Sequence, residues 1–218
     1  MEIVQANTQA MLIVNNNEEA KNLVVFAWYT RLEYIESDGN QYIDSWYNPN
    51  YNTELSCKFA HNEHTIDTPV FWTRWYNSAN QYTLWSHPTE YGTSTWLSQC
   101  LFNSTQKQLV NYAQWTVLEF YYNKSWWKYW NTTFTWSTRS WSPWYTMIIF
   151  GLKTQNTIDS RRFSWKMRYF KISENWVLKR DLYPVKRNSD NVVGMYDTVN
   201  KIFYQNLWAW SFTAWPNV

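Results

Sequence analysis

From Tyr29 onward the chain is a succession of short β-type runs separated by polar, turn-forming stretches. The runs recur at roughly 8–15-residue spacing with turn residues between them, as short strands do. The pattern predicts strands at Leu32–Ser37, Gln41–Tyr47, Glu54–Ala60, Pro69–Thr73, Gln81–Ser86, Thr95–Phe102, Thr116–Tyr122, Asn131–Thr135, Tyr145–Leu152, Arg162–Ile172, Val177–Leu182, Val193–Tyr196 and Ile202–Tyr204. Many are rich in Tyr, Phe, Val, Ile and Thr, and no window sustains a helical stripe over three turns. The expected fold is all-β, a sandwich or jelly roll. Within the longest run, Phe163, Trp165, Met167 and Tyr169 alternate with Ser164, Lys166 and Arg168 until Phe170 changes the phase. Residues 1–27 read as a separate leader or linker, with a short apolar piece, the polar run Asn15–Glu19 and then Leu23–Phe26. The domain is expected to span 28–218.

Two turns of similar position carry opposite chemistry. Asp38-Gly39 is a two-residue hairpin signal, because Gly supplies the positive φ of a type I′ turn. Asn175-Trp176 occupies the corresponding place between Lys171–Ser173 and Val177–Lys179, where Asn-Gly is the expected pair and Trp is sterically disfavoured. Ser125–Lys128, Ser140–Trp144 and Asn206–Ser211 likewise read as turns studded with indoles. Composition sharpens this oddity. The 218 residues include 18 Trp, 17 Tyr and 11 Phe but 4 Gly, where average usage would give roughly 15 Gly.

Charge and cysteine content bound the function from outside. A net charge of +2 is too mild to call for nucleic acid as a partner. Cys57 and Cys100 fit no metal spacing and read as buried thiols, with a disulfide as the alternative. No apolar run is long enough to span a bilayer, and Met1-Glu2 followed by Ala10–Val14 lacks the features of a secretion signal.

Candidate chemistry is sparse. His61-Asn62-Glu63-His64-Thr65-Ile66-Asp67 could bring two His and a carboxylate to a metal, but it reads better as a polar surface loop, and His87 has no partner in sequence. Glycoside hydrolysis needs two carboxylates facing each other across a cleft. Glu33 and Glu36, three apart, should face opposite sides of a strand; Glu54 and Glu119 stand in separate segments, and Asp44 lies just before a turn. Neither a Ser-His-Asp elbow nor a Gly-rich phosphate loop is present, so no catalytic residues are expected. The nine Lys and Arg between Arg161 and Arg187 read as a solvated strand face or as a face for an anionic polymer. Loop tryptophans suggest sugar stacking, although indoles spread along the whole chain define no single site.

Trp28–Asp44 resembles the opening of a laminin G-like, concanavalin A-like jelly-roll module common in phage virion and bacterial surface proteins. Arg180–Asn200, followed by Phe203-Tyr204 and Ser211–Ala214, is similar to the closing of that module, and Phe71–Arg74 and Tyr145–Leu152 are similar to its internal strands. The resemblance implies a β-sandwich of two antiparallel sheets that binds a glycan or cell-surface polymer without catalysis, as part of a tail or adhesin. The alternative it leaves open is a structural virion decoration domain whose partners are other virion or surface-protein subunits. Location on a virion or extracellular surface, with no nucleic acid partner and no membrane insertion, goes with both. Arg74, Tyr76, Tyr82 and Trp85, clustered in one aromatic hairpin region, are the candidate ligand contacts. No cofactor is expected: laminin G-like relatives sometimes use calcium, but no acidic loop here compels it. The module carries Gly where this chain has Trp28, Trp46, Trp72, Trp165, Trp176, Trp208, Trp210 and Trp215, which suggests UGA codons read as Trp in translation but as Gly by the host. Trp85 reads as a genuine strand aromatic.

Overall fold

The computed structural model describes residues 28–61, 68–74, 81–88, 95–102, 105–113, 116–129, 132–135, 145–151, 153–154, 157–158, 164–208 and 211–217. The strands are β1 (Tyr29–Asp38), β2 (Ile43–Asp44), β3 (Thr53–His61), β4 (Thr68–Arg74), β5 (Gln81–Pro88), β6 (Thr95–Phe102), β7 (Thr105–Ala113), β8 (Val117–Tyr122) and β9 (Trp126–Tyr129). They continue as β10 (Thr132–Thr135), β11 (Ile148–Ile149), β12 (Lys153–Thr154), β13 (Thr157–Ile158), β14 (Ser164–Glu174), β15 (Val177–Arg187), β16 (Val193–Asp197), β17 (Ile202–Gln205) and β18 (Thr213–Asn217).

These strands form a jelly-roll β-sandwich. The first sheet runs β10-β9-β8-β3-β14-β1-β15-β16-β17, with β18 added beside β1. The second runs β13-β12-β4-β5-β6-β7, with β11 and β2 beside β4. Pairing is antiparallel apart from the Thr154↔Arg74 bridge. Apolar residues of the two inner faces meet in one core: Phe71 of the second sheet contacts Phe120 and Phe170 of the first, at ring separations of 5.9 and 5.4 Å. Packing of this kind is what the alternating residues of both sheets are arranged to bury.

β1 has three partners. Its first residues pair with β15, Leu32–Glu36 with β18, and Ile35–Asp38 with β14, so β1 is wedged into the open end of the β14–β15 hairpin.

The phase change read at Phe170 has a structural cause. The β3–β14 register shifts between Met167 and Tyr169, after which Phe170 and Ile172 return to the core. A similar change in β1 corrects the reading of its acids. Leu32 and Ile35 are both buried, which breaks the period of two, and Glu33 and Glu36 both stand off the core, ion-paired with Arg168 and Lys166.

Other expectations need correction. Asp38-Gly39 closes no hairpin: β1 belongs to the first sheet and β2 to the second. Gly39 does adopt φ 93°, and Gln41 Oε1 accepts the Asp38 N–H at 2.9 Å, so the residues make a corner where the chain changes sheets. Ser125–Lys128 is mostly strand. Asn123 Oδ1 accepts the N–H groups of Ser125 and Trp126 and completes the turn just before β9. β7 and β18, with the sequences TQKQLVNYA and TAWPN, are not among the predicted strands. Cys57 is a free, buried thiol, and burial pushes its pKa well up. Asn62–Asp67, Ser140–Trp144, Trp210 and residues 1–27 lie outside the described residues.

Candidate functional site

Loop 45–52 organises one end of the sandwich. It leaves β2 and is tied to the segment before β11, where Ser45 Oγ donates to the Met147 carbonyl at 2.8 Å and the Met147 N–H donates to the Tyr47 carbonyl at 2.9 Å. It is also tied to the β14–β15 turn. Tyr47 OH and Asn50 Nδ2 donate to the two oxygens of Glu174 at 3.2 and 2.9 Å. Arg180 on β15 donates to the carbonyls of Ser45 and Trp46 at 3.0 and 3.3 Å. Charge-assisted bonds of this kind hold a loop without a regular ladder.

A cleft opens on each side of this loop. The larger, about 460 Å³, is lined by Asp44, Trp46, Arg180, Tyr204, Gln205 and Leu207 among others. The smaller, about 110 Å³, lies among Asn52, Glu54, Asn123, Lys124, Trp126 and Trp176. Both offer carboxamide or guanidinium donors beside aromatic rings, the combination that orients a polyhydroxylated ligand.

The carboxylates at this end hold structure. Asp44 accepts the Trp46 N–H at 2.9 Å and the Thr146 hydroxyl at 2.7 Å. Burial raises the Glu54 carboxyl pKa, while a backbone hydrogen bond from Trp176 and the charge of Lys124 oppose that rise. Among the described residues no group of three or more His, Cys, Asp or Glu is placed to hold a metal ion, calcium included.

Tyr47 reports on the loop. Its phenol is pushed up to about 12, first by burial and then by the charge of Glu174, while a hydrogen bond with Thr53 pulls the other way. The folded chain therefore keeps this proton to higher pH than the unfolded chain, whose tyrosines titrate near 10. The contribution is complete below about pH 10 and is lost as pH rises towards 12. Urea unfolding is expected to show stability falling across that window, and less steeply in Tyr47→Phe; an unchanged slope would place Tyr47 in contact with solvent.

Five of the seven described Lys and Arg in the basic stretch are ion-paired. Lys166, Arg168, Lys171, Arg180 and Arg187 pair with Glu36, Glu33, Asp181, Asp197 and Asp190. Lys166 and Arg168 also lie over the Tyr34 ring.

Arg74 lies at the end of β4, opposite Gln81, and Tyr82 is opposite Thr73 on the next rung. Trp85 lies farther along β5, opposite Pro69. The backbone thus brings three of the four sequence candidates onto one pair of strands in the second sheet; Tyr76 is outside the described residues. The clefts beside loop 45–52 escape sequence reasoning because their walls come from segments remote in the chain. The nearest signal was the pairing of a turn with tryptophan at Asn175-Trp176.

No family model matches the chain, and no curated protein matches it. Among solved structures it is similar to a native heptameric SAP-like pentraxin from Limulus polyphemus, with a TM-score of 0.44 and 8% identity over 66% of this chain and 74% of that one.

Proposed function

We propose that residues 28–218 form a non-catalytic binding module for a glycan or other cell-surface polymer, displayed on a virion or an extracellular surface, with residues 1–27 as leader or linker. The observation that carries this reading is the pair of clefts flanking loop 45–52, which combine carboxamide, guanidinium and aromatic groups on a braced frame. The use of Asp44 and Glu174 as acceptors for the loop supports binding over acid–base chemistry. Shallow sites of this kind bind weakly, and multivalent display raises their avidity. Arg74, Tyr82 and Trp85, on β4 and β5 of the second sheet, are proposed together with Tyr76 as a second set of contacts.

A bacterial-polysaccharide array probed with the intact chain tests the reading. Binding is expected, with a loss of tenfold or so in Gln205→Ala or Lys124→Ala if the clefts hold the ligand (about 1.4 kcal/mol). A loss confined to Arg74→Ala and Trp85→Ala would move the site to the second sheet. Silence across the array, with retained incorporation into particles, would overturn the glycan reading in favour of a structural decoration domain.

A further inference from the structure

Among the described residues, six other than glycine have left-handed backbones: Trp46, Phe150, Asn175, Trp176, Asn191 and Lys201. Asparagine tolerates this conformation well; a bulky side chain does not. Trp46 has φ 51° and Trp176 has φ 66°, and their indoles are 65% and 74% exposed. Neither side chain therefore recovers the conformational cost by burial.

The hydrogen bonds described for both residues come from the backbone. The Trp46 N–H donates to Asp44 and its carbonyl accepts from Arg180, and the Trp176 backbone bonds Glu54. Glycine would keep every one of these bonds and remove the steric cost. Asn175-Trp176 would become the Asn-Gly pair that a two-residue hairpin favours.

Other tryptophans at which glycine was suspected differ. Trp165 is fully buried, with its ring 5.3 Å from Phe59. Trp208 and Trp215 have ordinary φ and make ring contacts with Tyr42 and Tyr34. The structure thus separates two positions from the general excess of 18 Trp over 4 Gly.

We propose that codons 46 and 176 are UGA, and that the host of this gene reads them as glycine through a glycine-accepting tRNA. UGA differs from the glycine codon GGA in its first base alone. Each of these indoles lines one of the two clefts, so the protein as made by its host has wider clefts on both sides of loop 45–52. The proposal does not depend on what the clefts bind.

Gene sequencing together with tandem mass spectrometry of protein isolated from its natural host tests it. UGA codons with glycine in the peptides covering 46 and 176 are expected. A UGG codon at either position, or tryptophan in either native peptide, overturns it. In recombinant protein, Trp46→Gly and Trp176→Gly are each expected to raise the melting temperature by about 2–4 °C; a fall in both would remove the conformational argument and overturn the proposal. A negative glycan array would leave the peptide result untouched.

Discussion

Asp197→Ala is expected to destabilise the domain by about 3–5 kcal/mol, the cost typical of removing one partner from a buried, hydrogen-bonded charge pair. Asp197 is fully buried at the end of β16. Its Oδ1 accepts the N–H groups of Asp181 and Val199 at 3.1 and 3.0 Å, and its Oδ2 accepts Asn200 Nδ2 at 2.7 Å. Arg180 Nε lies 3.7 Å from the same Oδ2. Alanine would strand these donors and leave the guanidinium without its buried counter-charge. Asp197→Asn separates the contributions. It keeps the volume and an acceptor for the two amides but loses the ionic attraction, so an intermediate loss of about 1–3 kcal/mol is expected. Urea unfolding reads both. A loss below about 1 kcal/mol in Asp197→Ala would show that the network contributes little.

Gly194→Ala is expected to cost about 3 kcal/mol or more, at or beyond the usual upper end for overpacking. A Cβ at this position would lie 2.2 Å from the Tyr204 carbonyl oxygen and 2.9 Å from Phe203 Cζ. The first contact is with backbone that cannot move without opening the β16–β17 ladder, in which Gly194 faces Gln205 and Met195 faces Tyr204. The effect comes from space and not from φ, since Gly39 is the glycine with a left-handed backbone among those described. Thermal unfolding of Gly194→Ala should shift far more than that of a surface control such as Ser189→Ala. An equal shift in the two would mean that β17 yields freely. Because Tyr204 and Gln205 line the larger cleft, ligand binding should fall along with stability.

Local pattern made the strands legible but not their partners. Thr95–Phe102 is read with its observed bounds because a run rich in apolar residues stands between polar, turn-forming stretches. Gln41–Tyr47 shrinks to Ile43–Asp44, since loop 45–52 spends its polar groups on Met147, Glu174 and Arg180 instead of on a ladder. Asp38-Gly39 shows the same limit from the other side. Gly39 takes the positive φ read for it but no type I′ hairpin forms, because the sheet that the next strand joins depends on β11, more than a hundred residues later. The larger cleft was invisible for that reason: Asp44, Arg180 and Gln205 meet only once β2, β15 and β17 are in place. Trp176 is the instructive exception, because the conflict between a bulky residue and a tight turn is local and survives in the sequence.

The wedging of β1 into the β14–β15 hairpin sets the order in which the domain can assemble. Its partners lie in residues 164–217, so β1 leaves the ribosome long before anything exists to seal its edges. Until residues 213–217 have been made, the Leu32–Glu36 stretch presents unsatisfied amides and carbonyls to whatever is nearby, as exposed edge strands do. Closing so long a loop late makes folding slow, and it places the most aggregation-prone interval during synthesis rather than in the finished protein.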